Sequence, residues 1–177
     1  MSQNRYQQLL NILKVADHQE LKKGEFLELK IKKLARQWEF YFRFPTPLSL
    51  ASYQLFIRRL NEVYNADQEH QLKIFINYQN PMLDDEMLAT YYQDILDCCI
   101  DEKPRFATLK VLNTHFSQNT VKIYVGSEEE VTMVESLIPS LQSGFNDYHL
   151  TEIAFNVSVS NFETPIAKTI AANLSKA

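Results

Sequence analysis

Imidazole titrates near neutrality and binds metals, so the four histidines, His18, His70, His115 and His149, are the first residues to weigh for chemistry. No two of them share one element at ligand spacing, and the only cysteines, Cys98 and Cys99, have no second pair to complete a zinc site. Adjacent helical positions point about 100° apart, so these cysteines read as small core fillers rather than as a redox couple or a disulfide framework. Asp84-Asp85-Glu86 has the charge to hold a metal, but at a helix start the same carboxylates complement the helix dipole. No serine or cysteine stands beside a base in a recognisable motif. Only three glycines occur, Gly24, Gly126 and Gly144, too few and too scattered for a loop that cradles phosphate. The residues therefore offer no catalytic group, metal site or cofactor. A stand-alone enzyme would need a bound metal or a deep polar pocket that no motif announces.

Charge is the next candidate. The net charge of −4 is unevenly placed. Residues 1–80 hold 12 Lys/Arg against 8 Asp/Glu, and residues 81–177 hold 6 against 14. Lys22, Lys23, Lys30, Lys32, Lys33 and Arg36 gather around one expected hairpin, and Tyr41 and Arg43 lie on the polar face of the strand after it. Lys30, Lys32, Arg36, Tyr41 and Arg43 are accordingly the candidate contact residues, for a protein partner or for a nucleic-acid backbone. A solvated edge strand guarded by lysines explains the same pattern and is the favoured reading.

These residues are positioned by a strand–helix–strand stretch, Gln37–Tyr78. Trp38, Phe40, Phe42 and Phe44 alternate along a strand. Thr46-Pro47 reads as a helix start. Leu50, Tyr53, Phe56, Ile57, Leu60, Val63 and Tyr64 recur at helical spacing, and Leu72, Ile74, Ile76 and Tyr78 alternate again. A short helix through Leu9–Val15 and a half-buried strand at Leu27–Ile31 precede it. The expected first lobe is therefore α-β-β-α-β over residues 1–80, ended by Asn80-Pro81.

The second lobe, residues 81–160, reads as α-α-β-α-β. A long helix carries Met87, Leu88, Tyr91, Tyr92, Ile95, Leu96, Cys99 and Ile100. A short helix follows at Phe106–Leu112 and a strand at Val121–Val125. Ser127 opens a capping box with Glu130; Pro139 should kink or split the helix, and Gly144-Phe145 should close it. Ile153–Val159 is the last strand, and residues 161–177 read as a linker or tail. The fold class is thus α+β, two small lobes in tandem with a repeated strand–helix–strand core. The N-terminus lacks a signal-like apolar run, and no stretch approaches about 20 apolar residues, so the expectation is a cytoplasmic chain without a membrane partner.

The strand Gln37-Trp38-Glu39-Phe40-Tyr41-Phe42-Arg43-Phe44, the following proline, the aromatic helix with Tyr53 and Arg58-Arg59, and the strand at Leu72 together resemble the extreme N-terminus of PolC, the DNA polymerase III α subunit of low-GC Gram-positive bacteria. The resemblance implies a fragment of a DNA-directed DNA polymerase with 3'-5' exonuclease, carrying none of the parent's catalytic motifs. It implies a truncated KH-like module, similar to the C-terminal domain of the clamp-loader τ subunit, used for protein contacts. A KH module that binds nucleic acid needs a glycine turn between two helices, and none of the three glycines supplies one. The implied role is a tether to τ or another replisome protein, with at most a weak DNA contact beside it and no small-molecule substrate. The alternative is a single-stranded nucleic-acid binding module that uses the basic hairpin face.

Overall fold

Alternation places three phenylalanines of Gln37–Phe44, strand β2, on one side of a sheet, and Phe40, Phe42 and Phe44 are buried there. Each contributes roughly 1.5–3 kcal/mol of transfer free energy. In this computed structural model, which describes residues 2–66 and 69–160, β2 is the centre of a three-stranded sheet ordered β1-β2-β3. Strand β1, Glu25–Lys32, pairs antiparallel with β2 through a turn at 33–36, where Arg36 takes φ 50°. Strand β3, Gln71–Tyr78, pairs parallel with β2, from Gln37 opposite Gln71 to Phe44 opposite Tyr78. The crossover is helix α2, Leu50–Tyr64, whose Phe56 meets the rings of Phe42 and Phe44 at 4.9 and 5.8 Å. Helix α1, Ser2–Ile12, lays Tyr6 edge-on against Phe42 at 6.2 Å.

A second three-stranded sheet repeats the arrangement. Helix α3, Asp85–Glu102, and a 3-10 helix at Pro104–Val111 lead into an antiparallel hairpin of β4, Asn113–Ser117, and β5, Thr120–Val125. Helix α4, Glu128–Asp147, returns the chain to β6, Ala154–Val159, parallel to β5. Strand β4 was not expected. Its sequence, Asn-Thr-His-Phe-Ser, is polar and has no apolar alternation, and its pairing with β5 makes it a strand. The two units therefore match element for element, each a helix, a 3-10 turn, a hairpin, a helix and a parallel strand.

Several local expectations change. Helix α2 begins after Ser49, not at Thr46-Pro47, because the Ser49 Oγ accepts from the Ser52 amide and its carbonyl receives the Tyr53 amide. Ser127 caps α4 as expected, but the Glu130 carboxylate reaches one residue further back, to the Gly126 amide at 2.9 Å. Pro139 sits inside α4 without dividing it. Gly144 does not end that helix. A β-carbon there would collide with Ile95, so the glycine lets α3 and α4 approach closely. Cys98 is exposed beside Asp94 and Glu102 and is not a core filler, whereas Cys99 is half-buried and packs against the core. The expected tail at 161–177 lies outside the described residues.

The units share one core. Tyr91 donates its hydroxyl to the Leu48 carbonyl at 2.6 Å, and Tyr53 to the Asp147 carbonyl at 3.2 Å. The Tyr148 ring packs edge-on between them, 5.1 Å from Tyr53 and 5.2 Å from Tyr91. Asn119, buried at the β4–β5 turn, accepts from the Leu83 amide at 2.8 Å and donates to the Pro81 carbonyl at 3.0 Å. Tyr91→Phe removes a bond between the units without removing a ring, and urea unfolding should show a loss of about 1–3 kcal/mol. Gly144→Leu should cost about 1–3 kcal/mol by overpacking against Ile95.

Candidate functional site

Both helices of the first unit pack on the phenylalanine face of its sheet, which leaves the other face bare. Register sets what that face shows. Lys32, Gln37 and Gln71 form one row, Lys30, Glu39 and Lys73 the next, then Glu28, Tyr41 and Phe75, then Glu25, Arg43 and Asn77. Four of the five candidate contact residues, Lys30, Lys32, Tyr41 and Arg43, stand together here, and Arg36 sits at the turn above them.

Their charges are largely spent on neighbours. Lys32 pairs with Glu39 at 3.3 Å, Lys30 with Glu28 at 3.5 Å and Arg43 with Glu25 at 3.5 Å. Lys30 also sits 4.9 Å over the Tyr41 ring, which stacks on Phe75 at 4.8 Å. Glu39 is the hub. It accepts from Gln37 at 2.5 Å and from the Tyr41 hydroxyl at 3.1 Å. These side chains cover it although it lies on the outer face. That covering raises its carboxyl, and the Lys32 and Tyr41 hydrogen bonds, the Lys32 charge and Gln37 together bring it below the ordinary carboxylate value. The face is thus a patterned surface of paired ions around a stacked aromatic pair, not an unscreened basic strip. Phe75 and Glu39 were not among the expected contact residues, although alternation in β3 already turns Phe75 to the polar side.

Trp38 lies on the opposite, helix-facing side. It is half-buried and stacks on His70 at 4.4 Å, so its truncation should cost less than the roughly 3–5 kcal/mol of a fully enclosed aromatic.

One cluster resembles a nucleophile beside a base. The Ser52 Oγ is 3.5 Å from His18 Nε2 and donates to Glu20, and Ser49 donates to the same carboxylate at 2.7 Å. His18 Nδ1 accepts the Leu21 amide, so in neutral imidazole the proton is on Nε2 and that atom cannot take one from serine. Ser52 is buried, and the carboxylate also receives the Ser49 amide at 2.9 Å. The arrangement caps α2. Burial raises the Glu20 carboxyl, but the hydrogen bonds from Ser52, Ser49 and the Ser49 amide, with His18, outweigh it and leave it below the ordinary 4.5. Among the described residues, no group of three or more His, Cys, Asp or Glu is placed to hold a metal, and no helix is long and apolar enough to cross a membrane.

The first unit is a small α+β module whose three-stranded sheet is covered by helices on one face and bare on the other. Residues 5–74 match the family described as DNA polymerase III polC-type N-terminus I. The matched segment runs from α1 into β3, within the first unit, and includes the Trp38–Phe44 strand and the aromatic helix that follows it. No curated protein and no solved structure matches the chain.

A depressed folded-state carboxyl stabilises above its unfolded value, and that stability is lost as pH falls through the folded value. For Glu20 the loss therefore begins near pH 4.5 and continues below it. Thermal unfolding followed from pH 7 to pH 3 should show the Glu20→Gln variant less stable than the parent at neutrality and converging with it in acid. Parallel curves would remove Glu20 from this role.

Proposed function

We propose that this chain is a non-catalytic interaction region of a PolC-type replicative DNA polymerase that tethers the enzyme to another replisome protein, with the clamp-loader τ subunit as partner. The observation that carries the reading is the family match over residues 5–74. The α-β-β-α-β order of the first unit, with its parallel β2–β3 pair, is compatible with the truncated KH-like module implied by the resemblance to τ. The parent would be a DNA-directed DNA polymerase with 3'-5' exonuclease acting in chromosomal replication in the cytoplasm. The tether itself needs no chemistry. It raises the effective concentration of polymerase beside its partner, which multiplies weak contacts into stable association.

The contact surface in this reading is the outer face of the first sheet, with Tyr41 and Arg43 at its centre and Lys30, Lys32 and Arg36 on its border. The ion pairs to Glu25, Glu28 and Glu39 favour a protein over a nucleic-acid backbone, because a phosphate chain would have to displace carboxylates already in place.

The test is an NMR titration of the isotope-labelled chain, first with purified τ and then with a short single-stranded DNA. Shifts with τ that map to β1–β3, weakened in Tyr41→Ala and Arg43→Ala variants that still fold, are expected. Shifts with DNA alone that fade as salt rises would overturn the tether and make the hairpin face a nucleic-acid site.

A further inference from the structure

Three exposed apolar residues of the first unit meet at the open margin where α1, the β1 edge and the end of α2 come together, whereas Phe75 lies on the outer face and Leu34 at the hairpin turn. Leu29 is 37% exposed, Ile31 50% and Ile12 53%, and each lies on the helix side of the sheet or on the helix beside it. Between them is a cleft of about 180 Å³ lined by Arg5, Gln8, Leu9, Ile12, Phe26, Leu29, Phe40 and Tyr64. The second unit shows no such margin. On its edge strand β4, the helix-side Thr114 and Phe116 are half-buried, and Phe116 is covered by Tyr92 at 5.4 Å. A contiguous exposed apolar strip on a folded unit marks a contact surface.

We propose that this cleft docks an amphipathic helix of a partner protein whose apolar stripe is flanked by carboxylates. Two features select that occupant. Arg5, Gln8, Leu9 and Ile12 fall at i, i+3, i+4 and i+7, one continuous face of α1, and such a face receives the ridge of another helix. An added strand fits less well, because the β1 register breaks between Phe26 and Glu28. The charge selects the flanks. Arg5 lines the cleft, and Lys33 and Arg36 stand at the hairpin turn beyond Ile31. Among the described residues these three form no ion pair, in contrast to Lys30, Lys32 and Arg43 on the outer face. This surface lies on the opposite side of the sheet from Tyr41 and Arg43, so the inference does not depend on τ as the partner.

The molecule carries its own reporter. Trp38, the single tryptophan, is opposite Ile31 in the register and 6.4 Å from the Tyr64 ring of the cleft. The experiment titrates the full chain with a synthetic helical peptide bearing leucines at three- and four-residue spacing and glutamates on both flanks. The control peptide has lysines in their place, and tryptophan emission is read alongside amide shifts. The acidic peptide should move the Trp38 emission to the blue and shift amides of α1 and β1. Leu29→Lys, at an exposed position, should weaken it about tenfold or more, and Arg5→Glu several-fold. Tyr41→Ala on the outer face should leave it unchanged. Equal binding of the lysine peptide, no perturbation by the acidic one, or indifference to Leu29→Lys would overturn the proposal. Sedimentation run in parallel would also overturn it by showing a dimer of the free chain that Leu29→Lys dissolves, because the occupant would then be a second copy.

Discussion

The hydroxyl of Tyr91 on the Leu48 carbonyl is the constraint on which the rest depends. Burial pushes this phenol, with Tyr53, well above the ordinary tyrosine value, which favours the neutral, donating form of both. Leu48 immediately precedes the α2 cap, and Tyr91 lies in the middle of α3. The bond therefore joins the crossover of one unit to the leading helix of the other at a point where neither can slide. Asp147, at the end of α4, receives Tyr53 from the opposite direction. Two units that could have been separate beads share a boundary of packed tyrosine rings.

Legibility followed the strength of periodicity. Phe40, Phe42 and Phe44 announced β2, and Val121, Ile123 and Val125 announced β5, because alternation over an apolar set has one structural solution. Strand β4 was illegible because Asn113–Ser117 owes its extension to a neighbour. Gly144 read as a stop because sequence shows a glycine's freedom but not the Ile95 methyl that requires its small size. The start of α2 was placed early for a similar reason: Thr46-Pro47 is a good local signal, but the cap is Ser49, whose amide and hydroxyl are held by Glu20, 29 residues away. For the candidate site, alternation gave the correct faces of Lys30, Lys32, Tyr41 and Arg43. It could not show that acids on the same strands would pair with each cation, since pairing depends on register.

That register changes how the charge asymmetry is understood. A basic first half drew attention to the hairpin lysines, yet the cations there are divided. Those on the outer face are held by carboxylates across the strands and give the face shape more than field. Those along the cleft margin are left to the solvent. Net charge over 80 residues could not separate these two populations.

The parallel pairing of β2 with β3 has a consequence in time. A hairpin closes over a few residues and forms soon after both its strands exist, whereas a parallel neighbour waits for a whole crossover. As the chain leaves the ribosome, β1 and β2 can join while α2 is still being made. Until Tyr78 has emerged, the most aromatic strand of the protein, with Phe40, Phe42 and Phe44, keeps one edge without its parallel partner. The same interval recurs for β5 before β6. Synthesis rate through α2 thus sets how long this edge of β2 stays open, and the lysines of β1 stand on the other side of the sheet's centre, at the edge that β1 itself leaves free.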